Sequence, residues 1–184
     1  MEIKGQSLIA ATQQQVWDGL NDPEMLRQSI PGCESLEKTG DNKFKATVVT
    51  RIGPITAKFN GQVELQDLMP PNSYTISGSG SAGAMGAAKG KAFVTLTQKG
   101  ENTDLEYRVE ADISGKIAQL GGRLIQSTAG VLAGQFFTKF SSLIGDPESE
   151  ITKTAQQSGG IPKWTILIGT VVLLAVAILV IRAL

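Results

Sequence analysis

The chain contains no histidine and only one cysteine, Cys33, among its 184 residues. The first absence removes the commonest general base and the commonest metal ligand. The second excludes an internal disulfide or a cysteine-rich metal site and fits a reducing compartment. An excess of one charge is missing too: 17 Lys and Arg balance 17 Asp and Glu. Proteins built to hold nucleic acid usually carry a basic excess, so no nucleic-acid partner is expected. Aromatic residues make up only 5% of the chain, leaving a core of aliphatic and small side chains. Asp18, Asp22 and Glu24 cluster near the N-terminus. Without a histidine or a nucleophile beside them they read as a solvated surface rather than an acid–base pair. Cys33 follows Pro-Gly in an apolar setting and reads as a buried, inert thiol. No enzyme is expected from this inventory.

What is present is periodicity. Over residues 116–144, Ile117, Leu120, Leu124, Val131, Leu132, Phe136, Phe140 and Leu143 recur at steps of three and four, which predicts one long amphipathic helix capped by Ser114. Gln119, Arg123, Gln126, Ser127 and Lys139 fall on its other side. Gly121-Gly122 is expected to weaken or kink its first turns. Before it the pattern alternates. Residues 1–10 read as a strand. Thr12 and Asp22 read as caps of two short helices, with Pro23 at the first position of the second. From 34 to 113 a run of strands is punctuated by Gly40-Asp41-Asn42, Gly53-Pro54, Met69-Pro70-Pro71-Asn72 and Gly100-Glu101-Asn102. Strands joined so closely pair antiparallel. The fold expected is α+β, a curved antiparallel sheet wrapped around a long C-terminal helix.

The glycine-rich stretch 78–90 lacks the Gly-Lys-Ser/Thr ending of a phosphate loop that opens a helix. It reads as a bulged or flexible hairpin, or as a mobile rim of small residues with Met85 as an adaptable contact. Leu36, Phe44, Ala46, Val48, Phe59, Val63, Tyr74, Ile76, Tyr107 and Leu120 are expected between sheet and helix. With few bulky side chains and small ones at Ala46, Ala57, Ala92 and Ala111, a cavity for a lipophilic ligand is one reading and a filled core the other. Trp17, Met85, Leu124 and Phe136 complete the candidate ligand-binding set. Beyond it, 146–162 reads as a flexible linker ending in Ser-Gly-Gly. The uncharged run 164–181, with Trp164 at its edge, is about long enough to span a bilayer. Residues 163–184 are therefore expected to form a single-pass anchor. No signal peptide is visible in the first residues, which places the domain 1–145 on the cytoplasmic side.

The element order resembles the helix-grip layout of the Bet v 1 and START-like superfamily. The run from Val16-Trp17-Asp18-Gly19-Leu20-Asn21-Asp22-Pro23-Glu24 to Ser29-Ile30-Pro31-Gly32-Cys33-Glu34 is similar to the CoxG family, accessory proteins of carbon monoxide dehydrogenase. So are Gly90-Lys91-Ala92-Phe93-Val94-Thr95-Leu96, Leu105-Glu106-Tyr107, Gly115-Lys116-Ile117-Ala118-Gln119-Leu120-Gly121-Gly122-Arg123 and Gln135-Phe136-Phe137. One departure is Ser114-Gly115, where the resemblance leads one to expect Gly-Gly. The resemblance implies a non-catalytic accessory protein at the bacterial cell membrane. It would recruit a molybdenum hydroxylase of the carbon monoxide dehydrogenase type and carry a lipophilic quinone, menaquinone, between bilayer and enzyme, with no covalent cofactor. The alternatives are a recruitment adaptor without ligand and a lipid-binding or cyclase-like protein on the same fold.

Overall fold

The structure, a computed structural model, describes residues 1–144. The linker expected at 146–162 and the anchor expected at 163–184 lie outside the described residues. Among the described residues no helix is long and apolar enough to cross a membrane.

Strand β1 (Glu2–Ile9) leads into helices α1 (Gln13–Asn21) and α2 (Pro23–Ser29). Both caps expected from the sequence form. The Thr12 hydroxyl accepts from the Gln15 N–H at 3.3 Å while the Gln15 side chain accepts from the Thr12 N–H at 2.9 Å, a reciprocal capping box. Asp22 Oδ1 accepts from the N–H groups of Glu24 and Met25 at 2.8 and 3.2 Å. Glu24 is bound by both ends of the Arg27 guanidinium, which holds its carboxyl down at about 2. The acidic cluster is thus helix-capping and ion-pairing surface.

Six further strands follow as a meander: β2 (Cys33–Gly40), β3 (Lys43–Ile52), β4 (Ile55–Met69), β5 (Ser73–Ser81), β6 (Ala87–Lys99) and β7 (Asn102–Ser114). They pair antiparallel in the order β1-β7-β6-β5-β4-β3-β2. Alternation along β4 buries Ala57, Phe59, Gly61, Val63 and Leu65 and exposes Thr56, Lys58, Asn60 and Gln62. One face of the sheet therefore forms the core and the other meets solvent. Helix α3 (Gly122–Ile144) lies on the inner face.

The long helix starts later than its periodicity predicts. Gly115 (φ +76) and Gly121 (φ +87) bracket a 3-10 turn at Ala118–Leu120. The Ile117 N–H, which a helix there would spend internally, donates to the Met85 carbonyl at 3.0 Å. Ser114 caps no helix; its hydroxyl donates to the Ala87 carbonyl at 3.1 Å. The stripe is correspondingly rotated by about one residue. Ile125, Ala129, Ala133, Phe136, Phe137, Phe140 and Ile144 are buried, while Leu124 and Val131 are each 37% exposed. The apolar residues on two flanks of α3 left the phase undetermined, although the period was clear.

The glycine-rich stretch is a regular hairpin, not a bulged one. Its register runs unbroken from Ser73↔Thr95 to Ser81↔Ala87, around a 3-10 turn at Gly83–Met85. Nor is its tip free. A Cβ on Gly86 (φ +130) would lie 2.1 Å from the Ser114 carbonyl oxygen, and one on Gly115 would lie 2.5 Å from the Gly86 Cα. Only two glycines let these backbones touch. Gly86→Ala is expected to cost ~2 kcal/mol or more, from left-handed strain plus a displaced carbonyl. Gly83→Ala also has positive φ but nothing within 4 Å, and is expected to cost about half of that. Urea denaturation separates the two, and equal midpoints would contradict the pinned hairpin.

Candidate functional site

Where the α1–α2 pair, the sheet and α3 meet, the side chains leave an enclosed apolar cavity. Leu20 and Leu26 close it from α1 and α2, and Phe136 from α3. Leu36, Phe44, Ala46, Gly61, Val63, Leu65, Tyr74 and Ile76 form its sheet side. Ala46 pairs with Gly61, Gly61 with Gly80, and Gly80 with Ala88, so four adjacent strands place glycine or alanine in one row of the inner face. The cavity begins over that row. In this packed state its room is about 30 Å³, roughly one water's share of liquid volume.

Tyr74 supplies the cavity's phenolic hydroxyl. Its ring is buried and stands edge-on to Trp17 at 5.4 Å. Burial alone pushes its hydroxyl well above the usual phenol range. No hydrogen bond of that hydroxyl forms among the described residues. It is a donor and acceptor held ready at an apolar wall.

The expected site residues divide into four groups. Leu36, Phe44, Ala46, Tyr74, Ile76 and Phe136 come together around the cavity. Trp17, Val48 and Phe59 are buried but line no part of it; Val48 and Phe59 face each other across β3 and β4 as core. Met85, Tyr107 and Leu120 are half-buried elsewhere on the core's edge. Leu124 is a correction: the late start of α3 turns it out over the Gly53 turn. Gly61 was missed. Its place in the 57-59-61-63-65 alternation marks it as inward-facing, but a residue without a side chain gives no apolar signal.

A second concavity, about 350 Å³ and open, runs between β1 and α3 beside Gln6, Ser7, Tyr107, Gly130, Gly134 and Phe137. Phe137 lies 5.9 Å from Tyr107 and 5.3 Å from Phe136, centroid to centroid. The two phenylalanines thus separate groove from cavity. Cys33 is half-buried, and burial raises its thiol pKa, consistent with the inert thiol expected. Among the described residues no cluster of acidic or thiol groups could hold a metal.

The Tyr74 environment fixes a sign for alkaline pH. An unfolded tyrosine ionises near 10, whereas the folded hydroxyl stays neutral to higher pH. Its share of stability is present below about pH 10 and lost as pH rises through the folded value. The drop in urea midpoint between pH 9 and 11 is expected to be smaller in Tyr74→Phe than in the native chain. Equal drops would show that the hydroxyl is solvated.

Comparison with known proteins follows this geometry. The chain is similar in structure to a conserved protein from Geobacillus kaustophilus: TM-score 0.75, 31% identity, covering 79% of this chain and 96% of that one. It shares its fold with the Zhui aromatase/cyclase from Streptomyces sp. R1128, at TM-score 0.59 and 8% identity over 83% and 98% of the two chains. The same holds for Ara h 8.0201, at TM-score 0.58 and 14% identity over 80% and 95%. The architecture is therefore that of Bet v 1 and START-like proteins. Among curated proteins none matches the sequence. The family model for CoxG, the G-type subunit of carbon monoxide dehydrogenase, matches residues 5–145, which is the whole sheet-and-helix unit, and the chain belongs to that family.

Proposed function

We propose that this protein is a membrane-anchored, non-enzymatic accessory of a cytoplasmic molybdenum hydroxylase of the carbon monoxide dehydrogenase type. It carries a lipophilic quinone of the menaquinone class between bilayer and enzyme. Family membership supports the partner. The uncharged run 164–181 supports the anchor. A tether would keep the domain near the quinone pool at high effective concentration.

The observation that carries the ligand reading is Tyr74: a buried hydroxyl, unpartnered among the described residues, in an otherwise apolar wall. A quinone carbonyl is an acceptor attached to an apolar ring and tail, and matches that wall. The present 30 Å³ does not admit a naphthoquinone, so binding requires α2 or α3 to move outward. The same small volume favours the second reading, an adaptor with a filled core that only brings the enzyme to the membrane.

Trp17 distinguishes them, since it touches Tyr74 and quinones quench indole fluorescence. In full-length Trp164→Phe, Trp17 is the remaining tryptophan of the two. Titration with a short-chain naphthoquinone is expected to quench it saturably. Tyr74→Phe is expected to weaken binding roughly fivefold, one hydrogen bond being worth about 1 kcal/mol. Ala46→Phe is expected to weaken it on the order of tenfold or more by overfilling the floor. Quenching that never saturates, unchanged by either substitution, would leave the adaptor.

A further inference from the structure

The meander puts its turns at two opposite ends, and the ends differ in charge. The turns β2–β3, β4–β5 and β6–β7 carry Asp41, Asp67 and Glu101, all exposed. The other end is built from the Gly53-Pro54 turn, the hairpin tip at Gly83–Met85 and the connection from β7 into α3. The Gly86–Gly115 contact and the Leu124 side chain over Gly53 join these three pieces into one surface. Three stretches of sequence feed that end, and the portions 42–63, 68–100 and 113–144 contain no Asp or Glu. The chain as a whole is neutral, so this is a segregation of charge and not a bias of composition.

At that end Arg51, Lys116 and Arg123 are exposed and form no ion pair with a carboxylate among the described residues. The nearest acids lie back from the tip. Glu34 is bound to Lys58 at 2.6 Å, and Asp112 stands in register with Lys89. Between the cations sit apolar side chains that the core leaves uncovered. Leu124 and Val131 are each 37% exposed, one helical repeat apart on the outer flank of α3, and Ile55 and Leu120 are half-buried. A protein turned only toward water does not need exposed leucine and valine ringed by unpaired cations. Basic residues that reach headgroups around apolar residues that reach the acyl boundary match an anionic bilayer surface.

We propose that this end of the folded domain is a docking face for anionic lipid. It acts in addition to any tether supplied by residues 163–184 and independently of what the cavity holds. Docked this way, the N-terminal half of α3 lies against the bilayer and the acidic turns point away from it. The face is a place where the domain rests on the membrane, whereas a tether sets only how far it strays.

The test uses the full chain, reconstituted into phosphatidylcholine vesicles with or without phosphatidylglycerol. Whatever the tail does, it does on both. In a Cys33→Ser background a polarity-sensitive fluorophore is placed at Leu124→Cys or, at the opposite end, at Met69→Cys, where the native side chain is 61% exposed. The expected result is a blue shift at position 124 on the anionic vesicles alone, and none at 69. Half-molar salt should reverse it by screening. The triple variant Arg51→Gln, Lys116→Gln, Arg123→Gln should lose it, with docking weakened on the order of a hundredfold. Arg51 also donates to the Gly53 carbonyl at 3.1 Å, so Lys116→Gln with Arg123→Gln serves as the variant that leaves the turn intact. An equal shift on neutral vesicles, a shift at both positions, or a shift indifferent to salt and to these substitutions overturns the proposal. So does no shift anywhere, and the cationic rim would then fit an acidic protein surface instead.

Discussion

Helix α3 is seated on the sheet by apolar contact alone. Its side-chain hydrogen bonds stay within the helix, Thr128 to the Leu124 carbonyl and Ser142 to the Lys139 carbonyl, and among the described residues none reaches a strand. Phe136, Phe137 and Phe140, with Ile125 and Ile144, provide the seat. Such an interface is strong in sum but has no directional term. The helix can shift without breaking a polar bond or stranding a buried donor. The sheet beneath behaves differently, being locked residue by residue through seven paired strands. A stiff floor under a helix held only by contact is the mechanical basis for any enlargement of the cavity.

Much of this was legible in the sequence because local chemistry decided it. Thr12, Asp22 and Pro23 set the two short helices, and each expected turn separates the strands it should. Legibility failed where an atom elsewhere in the chain decided the outcome. The start of α3 depends on the Met85 carbonyl taking the Ile117 N–H, a pairing between segments some thirty residues apart that no periodicity shows. Leu124 was misplaced for the same reason. The hairpin 78–90 looked loose because glycine is permissive on its own. Two of its neighbours in space, Ser114 and Gly115, turn that permissiveness into close backbone contact.

The cavity shows the complementary limit. Its walls follow from alternation, and six of the expected residues meet there. Its volume does not follow, because volume depends on how far a helix with alanine at 129 and 133 sinks toward a floor of glycine and alanine. Family membership and the lone Tyr74 hydroxyl make the site chemically intelligible, and the packing explains why it is nearly closed when nothing occupies it.

The row Ala46–Gly61–Gly80–Ala88 also bears on how such a site can diverge. Its shape is written in missing atoms rather than in functional groups. A methyl or two added along the row would consume space comparable with the whole void, while every polar group, strand pairing and cap stayed in place. Preference for one ligand size over another can thus drift through substitutions that look conservative, from glycine to alanine or alanine to valine. Two chains with the same fold and the same tyrosine can then carry different cargo.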